Sequence, residues 1–346
     1  MVVERGVSYF GNRYPAHARA DLEQMAAAGV TYVVHVMTEE DLRWGPETVA
    51  QLVAIGDELG LESWLDPWGL GGVFGGETAS YAVMEHPTAC QRTNRGKHKP
   101  ALCPRRAEFR ELMDRWLEAA AASGVSVCLW DEPHLFILRH QRSDARWSCR
   151  CPSCQRAFAK RFGAPMPVAW MPETRLFTED LIAETISWLI AAANRRNLGS
   201  AVVLLPDEEY YEPGLWRAVA TLPGVRALGT DPYWFDFPAD PLVNAAYIRR
   251  WSERTVAATH GLPVVPMGWL QAFRVPAGRE AEIAWAADLM VASGIESIAA
   301  WAYQGCAAMS RLAADDPEAV WGVLAASFRD LQLRPLAQAG SPRAAD

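Results

Sequence analysis

The sequence predicts an α/β protein, a (β/α)8 TIM barrel, on two observations. One helix-to-strand junction recurs along the chain, and acidic, amide and aromatic residues gather where the strands end. Helix-like segments run into a glycine and then a short strand-like run at AAAGVTYVV (Gly29), ELGLESWL (Gly60), ASGVSVCLW (Gly124), NLGSAVVLL (Gly199), LPGVRALGT (Gly224), THGLPVVPM (Gly261) and ASGIESIAAW (Gly294). Glycine commonly ends helices because it takes the left-handed conformation without a Cβ clash. Seven such junctions imply eight strands.

The first strand is GVSYF, at residues 6–10, and the others begin near Thr31, Glu62, Val125, Ala201, Arg226, Pro263 and Ser297. Amphipathic segments lie between them. RRAEFRELMDRWLEAAAA sets Phe109, Leu112, Met113, Trp116 and Ala120 on one helical face, and PETVAQLVAIGDEL places Pro46 in a first helical turn. Strict alternation of strand and helix implies a parallel sheet, and eight repeats imply its closure. An open, doubly wound sheet would carry a glycine-rich phosphate fingerprint after its first strand, and none follows GVSYF.

Half of the 346 residues are hydrophobic, ample for one large core. The expectation is a single barrel domain over residues 1–334, with a metal-binding insertion around 88–163 and a disordered tail at 335–346, where apolar periodicity is lost. A net charge of -8 and a pI near 5.5 oppose phosphate-backbone binding, so no nucleic-acid partner is expected. The opening MVVERGVSYFGNRYP has early charges and no apolar h-region, and no later run reaches the roughly 18 apolar residues of a membrane span. A soluble, cytoplasmic chain with no membrane partner is therefore expected, and homo-oligomerisation is left open.

Barrel chemistry sits at the C-terminal ends of the strands. In order these ends offer Tyr9 and Asn12; His35; Asp66 and Trp68; Asp131, Glu132 and His134; Asp207 and Glu208; Asp231, Tyr233 and Trp234; Trp269 and Gln271; and Trp301, Tyr303 and Gln304. Aromatic faces stack on the apolar face of a pyranose, while carboxylates and amides take its hydroxyls, so this set points to a carbohydrate substrate. Substrate contacts are expected from His35, Asp66, Trp68, His134, Glu208, Tyr233, Trp234, Trp269, Gln271 and Trp301. Taken singly, a tryptophan here is more ordinarily core packing than a sugar platform, and His35 in VVHVM suits a core position as well as a ligand contact.

The stretch LWDEPHLF ends an apolar run with two adjacent carboxylates, Asp131 and Glu132. Charges are rarely buried unpaired, which puts the pair at the mouth where the chain leaves the core. Mutual repulsion raises the proton affinity of one of them and keeps a general acid available near neutral pH. Helix capping, or an ion pair with Arg139 or Arg142, is the non-catalytic role for the pair. Asp231, in GTDPYW, is a second candidate partner for Glu132 across the mouth.

Of seven cysteines, three lie in CRCPSC (Cys149, Cys151, Cys154), and Cys103 lies upstream in ALCPRRAEF. A tight C-x-C-x-x-C turn can supply three corners of a zinc tetrahedron and one distant cysteine the fourth. Cys90 competes with Cys103 for that corner. Four thiolates make a closed, structural site, so zinc is expected as a structural cofactor with none at the catalytic centre. Disulfides are disfavoured by a cytoplasmic setting and by three cysteines within six residues.

The order CPRRAEFRE, then a carboxylate motif ending the fourth strand, then CRCPSCQRAFAKRFG resembles the catalytic domain of family 42 β-galactosidases and their clan A relatives. The resemblance covers mainly residues 100–163. It implies a four-cysteine zinc cluster at Cys103, Cys149, Cys151 and Cys154, with Glu132 as general acid/base. Two positions depart from it. Asp131 stands where that clan has an asparagine, and PVVPMGWLQAFRVP supplies Trp269 and Gln271 but no nucleophilic acid after the seventh strand. The Asp-Glu pair instead resembles β-N-acetylhexosaminidases of families 20 and 123, DEP matching the latter. That resemblance implies Asp131 orienting a substrate's own 2-acetamido group as nucleophile.

The sequence thus predicts a glycoside hydrolase with Glu132 as acid/base and Asp131 or Asp231 as partner. A non-catalytic carbohydrate-binding barrel and a sugar-acid lyase or isomerase are the alternatives.

Overall fold

The computed structural model describes residues 3–10, 12–76, 78–136, 146–207, 213–235, 240–309 and 311–333. Its strands are β1 (Glu4–Tyr9), β2 (Tyr32–Val36), β3 (Glu62–Asp66), β4 (Cys90–Arg92), β5 (His98–Leu102), β6 (Val127–Asp131), β7 (Gly199–Leu204), β8 (Val225–Thr230), β9 (Val265–Gln271) and β10 (Ser297–Trp301). Eight of them close into a parallel barrel in the order β1-β10-β9-β8-β7-β6-β3-β2, and β4 and β5 form a separate antiparallel hairpin. The predicted (β/α)8 barrel is the observed fold, and each strand begins within a few residues of its expected start.

The junctions work as the sequence implies at six of the seven glycines, whose φ values are positive: Gly29, Gly60, Gly124, Gly224, Gly261 and Gly294. Gly199 is the exception. It opens β7, and the left-handed turn falls to Asn197 at φ 60°, a residue type that tolerates this region. The helix Ala107–Ser123 buries Phe109, Leu112, Met113, Trp116 and Ala120 as one face, and Pro46 sits in the first turn of the helix Pro46–Glu58.

Alternation along the strands divides the protein into a barrel interior and an outer layer under the helices. Tyr32, Val34, Trp64, Val127, Leu129, Ala201, Ala227, Met267 and Ala299 pack inside. Lower in the barrel, Tyr32 stacks on Trp64 at 4.1 Å and its hydroxyl lies 2.9 Å from Ser297 Oγ. Gly6 makes room for this ring, because a Cβ there would lie 2.2 Å from Tyr32 Cε2. Arg226, paired with Glu62 and Glu4, sits over the Trp64 ring. Apolar filling gives way at the other end to Ser8, Asp66, Asp131 and Asp231, all buried.

The β4–β5 hairpin lies between β3 and β6, and the cysteine turn comes after β6. Cys103 follows β5, and the chain returns at Cys149 and Cys151 to start the helix Pro152–Phe162. The buried Gln91 accepts from the Phe136 amide at 3.1 Å, accepts from the Ser148 hydroxyl and donates to the Leu102 carbonyl at 3.2 Å. One side chain thereby ties the hairpin, the segment after β6 and the cysteine turn together. No helix among the described residues is long and apolar enough to cross a membrane. The expected disordered tail at 335–346 lies outside the described residues.

Candidate active site

Asp131 is the last residue of β6 and faces the interior, and the Glu132 amide extends the ladder by donating to the Val203 carbonyl at 3.0 Å. Glu132 then takes φ 42°, a left-handed conformation that costs a non-glycine residue roughly 1–3 kcal/mol and that tends to mark functional sites. Two backbone bonds fasten the loop after β3 to this exit: Gly75 N donates to the Asp131 carbonyl at 3.1 Å, and His134 N to the Val73 carbonyl at 2.9 Å. Gly75 is required by close approach. A Cβ there would sit 2.7 Å from Asp131 Oδ2 and 3.2 Å from Glu132 Oε2.

Four carboxyl groups converge at the mouth. Asp66, ending β3, is fully buried and neither of its oxygens has a hydrogen-bond partner. Burial, with Asp131 and Glu132 nearby, pushes its pKa well above the usual carboxylate range. Burial and the Glu132 charge do the same to Asp131, opposed by an N–H bond from Trp269. Asp231, just beyond β8, is raised by burial, by the Glu132 charge and by a side-chain hydrogen bond to Glu132, and its Oδ1 has no partner. Three carboxyls whose pKa values are raised by burial and by neighbouring acids thus surround a half-buried Glu132.

Aromatic rings frame these acids. Trp269 donates to Asp131 Oδ1 at 3.0 Å and meets Trp301 edge to face at 5.7 Å. Phe10 stacks on Trp68 at 5.3 Å and lies 5.3 Å from Trp301, closing the cluster. Tyr233 packs edge-on to Phe273 at 4.9 Å, and its amide donates to the Asp231 carbonyl at 2.7 Å. His134 Nδ1 lies 2.6 Å from the Glu132 carbonyl and donates to it.

The structure therefore brings together Asp66, Trp68, Asp131, Glu132, His134, Asp231, Tyr233, Trp269 and Trp301. Three expected substrate contacts are placed elsewhere. His35 points outward from β2, 3.4 Å from Ser63 Oγ and fully buried, and burial lowers its pKa to about 3. Trp234 packs in the outer apolar layer and donates to Glu282 Oε2 at 3.1 Å. Gln271 is fully buried, its carbonyl oxygen taken by the Phe235 amide at 2.9 Å, so it secures a loop. Glu208, Arg139 and Arg142 lie outside the described residues. The sequence reading omitted Gly75, Ser8 and Phe10, of which only the inward alternation of Ser8 and Phe10 in GVSYF was a usable signal.

The sulfurs of Cys103, Cys149, Cys151 and Cys154 all lie within 4.8 Å of one another, and all four residues are buried. Cys103 Sγ is 3.5 Å from Cys154 Sγ and 3.7 Å from Cys151 Sγ, close to the edge of about 3.8 Å of a tetrahedron with metal–sulfur bonds of about 2.3 Å. The donor set fits a single tetrahedral metal ion. Cys90 is not part of it, its thiol facing the Val83 and His86 carbonyls at 3.6 Å each.

No protein-family model matches the sequence, and no curated protein is similar to it at a significant level. Solved structures do share its fold. The catalytic domain of β-amylase from Paenibacillus polymyxa superposes with a TM-score of 0.66 at 9% identity, over 94% of this chain and 98% of that one. The endo-1,4-β-mannanase of Rhizomucor miehei gives 0.63 at 9% identity, over 95% of each chain. GH5_18 from Streptomyces cattleya, in complex with GlcNAc, gives 0.60 at 14% identity, over 97% of this chain and 82% of that one. At these identities the likeness defines a TIM barrel and leaves the chemistry to the site.

Proposed function

We propose that this protein is a glycoside hydrolase acting at the C-terminal mouth of its barrel, with Glu132 as general acid/base. One observation carries the reading: Glu132 stands in a strained, half-buried position among three carboxyls of raised pKa, framed by Trp68, Trp269 and Trp301. A sugar-binding barrel needs hydrogen bonds and stacking faces but has no use for buried, mutually repelling acids, which cost stability. A lyase or isomerase for sugar acids would need cations to hold the carboxylate, whereas the causes of the raised pKa values are burial and neighbouring acids. The named activities of the β-amylase and mannanase barrels agree with the reading.

Asp131 is the preferred partner. The Trp269 N–H fixes its carboxyl and favours its charged form, which suits a group that orients and charges a 2-acetamido nucleophile. The second reading uses Asp231 as nucleophile or base and is favoured by its side-chain hydrogen bond to Glu132. In either case Asp66, Trp68, His134, Tyr233 and Trp301 serve as sugar contacts. The family 42 and family 20/123 resemblances rest on the motifs quoted above.

The four-cysteine cluster holds zinc in this reading, as a closed structural site. Thiolate ligands and tetrahedral spacing suit zinc, and Gln91 links the cluster to the segment leaving Glu132. Turnover of a panel of aryl glycosides, with and without 2-acetamido groups, tests the proposal. Hydrolysis of any member supports it, and binding of sugars without hydrolysis of any favours the carbohydrate-binding alternative.

A further inference from the structure

A cleft of about 370 Å³ opens beside the acid cluster, between the segments that follow β1 and β10. This is within the roughly 300–1,000 Å³ of small-molecule sites. Its lining is polar and low: Asn12, Asp21, Tyr303 and Gln304 offer amide, carboxylate and phenol groups, while Ala302, Ala307 and Ala308 leave room above them. Asp21 is a hub, accepting from Tyr9 Oη at 2.7 Å, from Asn12 Nδ2 at 3.2 Å and from Tyr303 Oη at 3.2 Å. An acceptor already oriented by three donors is preorganised for a ligand hydroxyl at little further entropic cost.

Ser8 supplies an independent observation. It lines the same cleft, is fully buried, and its hydroxyl has no hydrogen-bond partner. A buried hydroxyl left unpaired is unfavourable by roughly 1–3 kcal/mol, and a ligand hydroxyl in the cleft would relieve it. Phe10 joins the cleft to the catalytic mouth, because it lines the cleft and also packs on Trp68 and Trp301. The path from Asp131 through Trp269 and Trp301 to Phe10 is a continuous run of contacts.

We infer that this cleft is a second carbohydrate subsite, one that holds a sugar unit remote from the bond being cleaved, so that the substrate class is an oligosaccharide. The inference rests on the carbohydrate reading of the mouth. Among the described residues, the cleft lining holds no cationic side chain, which fits a neutral polyol, and Asp21 in that lining disfavours an anionic ligand.

The test uses the full chain carrying Glu132→Gln, titrated calorimetrically with β-linked gluco-, manno- and chito-oligosaccharides of one to four units. Affinity is expected to rise at least tenfold from one unit to three in one of these series. That rise should vanish when Ala308→Trp fills the cleft, and should shrink with Asn12→Ala. Ala308 is exposed, so Ala308→Trp leaves the fold intact, as melting temperature will verify. With Glu132 in place, Ala308→Trp should still hydrolyse aryl monoglycosides at the parent rate. A gain with chain length that survives both substitutions, or no gain in any series, overturns the subsite. Failure of the parent enzyme to hydrolyse any glycoside while the gain persists would instead overturn the hydrolase reading alone.

Discussion

The indole N–H of Trp269 donates to Oδ1 of Asp131 at 3.0 Å, joining β9 to the end of β6 across the barrel. The C-terminal part of the seventh barrel strand, which lacks an acid, thus carries a donor aimed at the acid of another strand. Hydrogen bonds to charged groups contribute about 1.5–3 kcal/mol, so Trp269→Phe should lower kcat by roughly 10- to 150-fold. The N–H favours the charged carboxylate, and its loss raises the pKa of Asp131. The acid limb of the pH–rate profile should therefore move to higher pH. A lower rate with an unmoved limb would assign Trp269 to packing alone.

Asp66 yields a stability prediction. Its pKa is raised in the folded protein above about 3.9 in the unfolded chain, so the folded state binds more protons between the two values. Its contribution to stability is fully present below about pH 4 and is lost as pH rises towards its folded pKa. Asp66→Asn cannot ionise and should melt higher than the parent at pH 7, with the difference shrinking as pH falls to 4, while turnover drops. A melting gain independent of pH would contradict this account of the acid cluster.

Much of this was legible in the sequence because the glycine junctions and helical faces are local signals. Strands buried on both faces read as continuous apolar runs, and this is what hid the outward direction of His35 in YVVHV. Only barrel closure reveals that His35 pairs with Ser63 while its alternating neighbours Val34 and Val36 face inward. Trp234 lies three residues past Asp231, in a loop where strand alternation no longer applies, and it turned outward to Glu282. The choice of Cys103 over Cys90 likewise needed the hairpin, in which Cys90 pairs with Leu102 while Cys103 lies one residue beyond the strand. The need for glycine at position 75 arises from contact with Asp131, 56 residues away in sequence.

For the cysteine cluster, Cys103→Ser or Cys154→Ser should lower bound zinc and melting temperature together, since metal binding is coupled to folding. Cys90→Ser, outside the cluster, should leave the zinc content unchanged. Elemental analysis of protein purified without chelator provides the measurement, and a metal-free native protein would end the zinc proposal.

The two partners of Glu132 are separable by trapping. With Asp131 as partner, a thiazoline mimic of the cyclised intermediate should bind more tightly than the matching substrate, and Asp131→Asn should abolish turnover without covalent sugar on the protein. With Asp231 as nucleophile, a 2-fluoro glycoside of the right sugar should leave an ester that peptide mapping places on Asp231. A label there excludes the acetamido-assisted route.

The role of Glu132 is tested most directly by comparing the parent enzyme and Glu132→Gln on aryl glycosides of one sugar with leaving groups of graded pKa. General acid catalysis contributes roughly 100- to 10,000-fold where the departing oxygen needs a proton. The account predicts a loss in that range for the poorest leaving groups, dwindling towards none for the most activated, with melting temperature unchanged. An equal loss across the whole series, or no loss at all, would contradict Glu132 as the general acid.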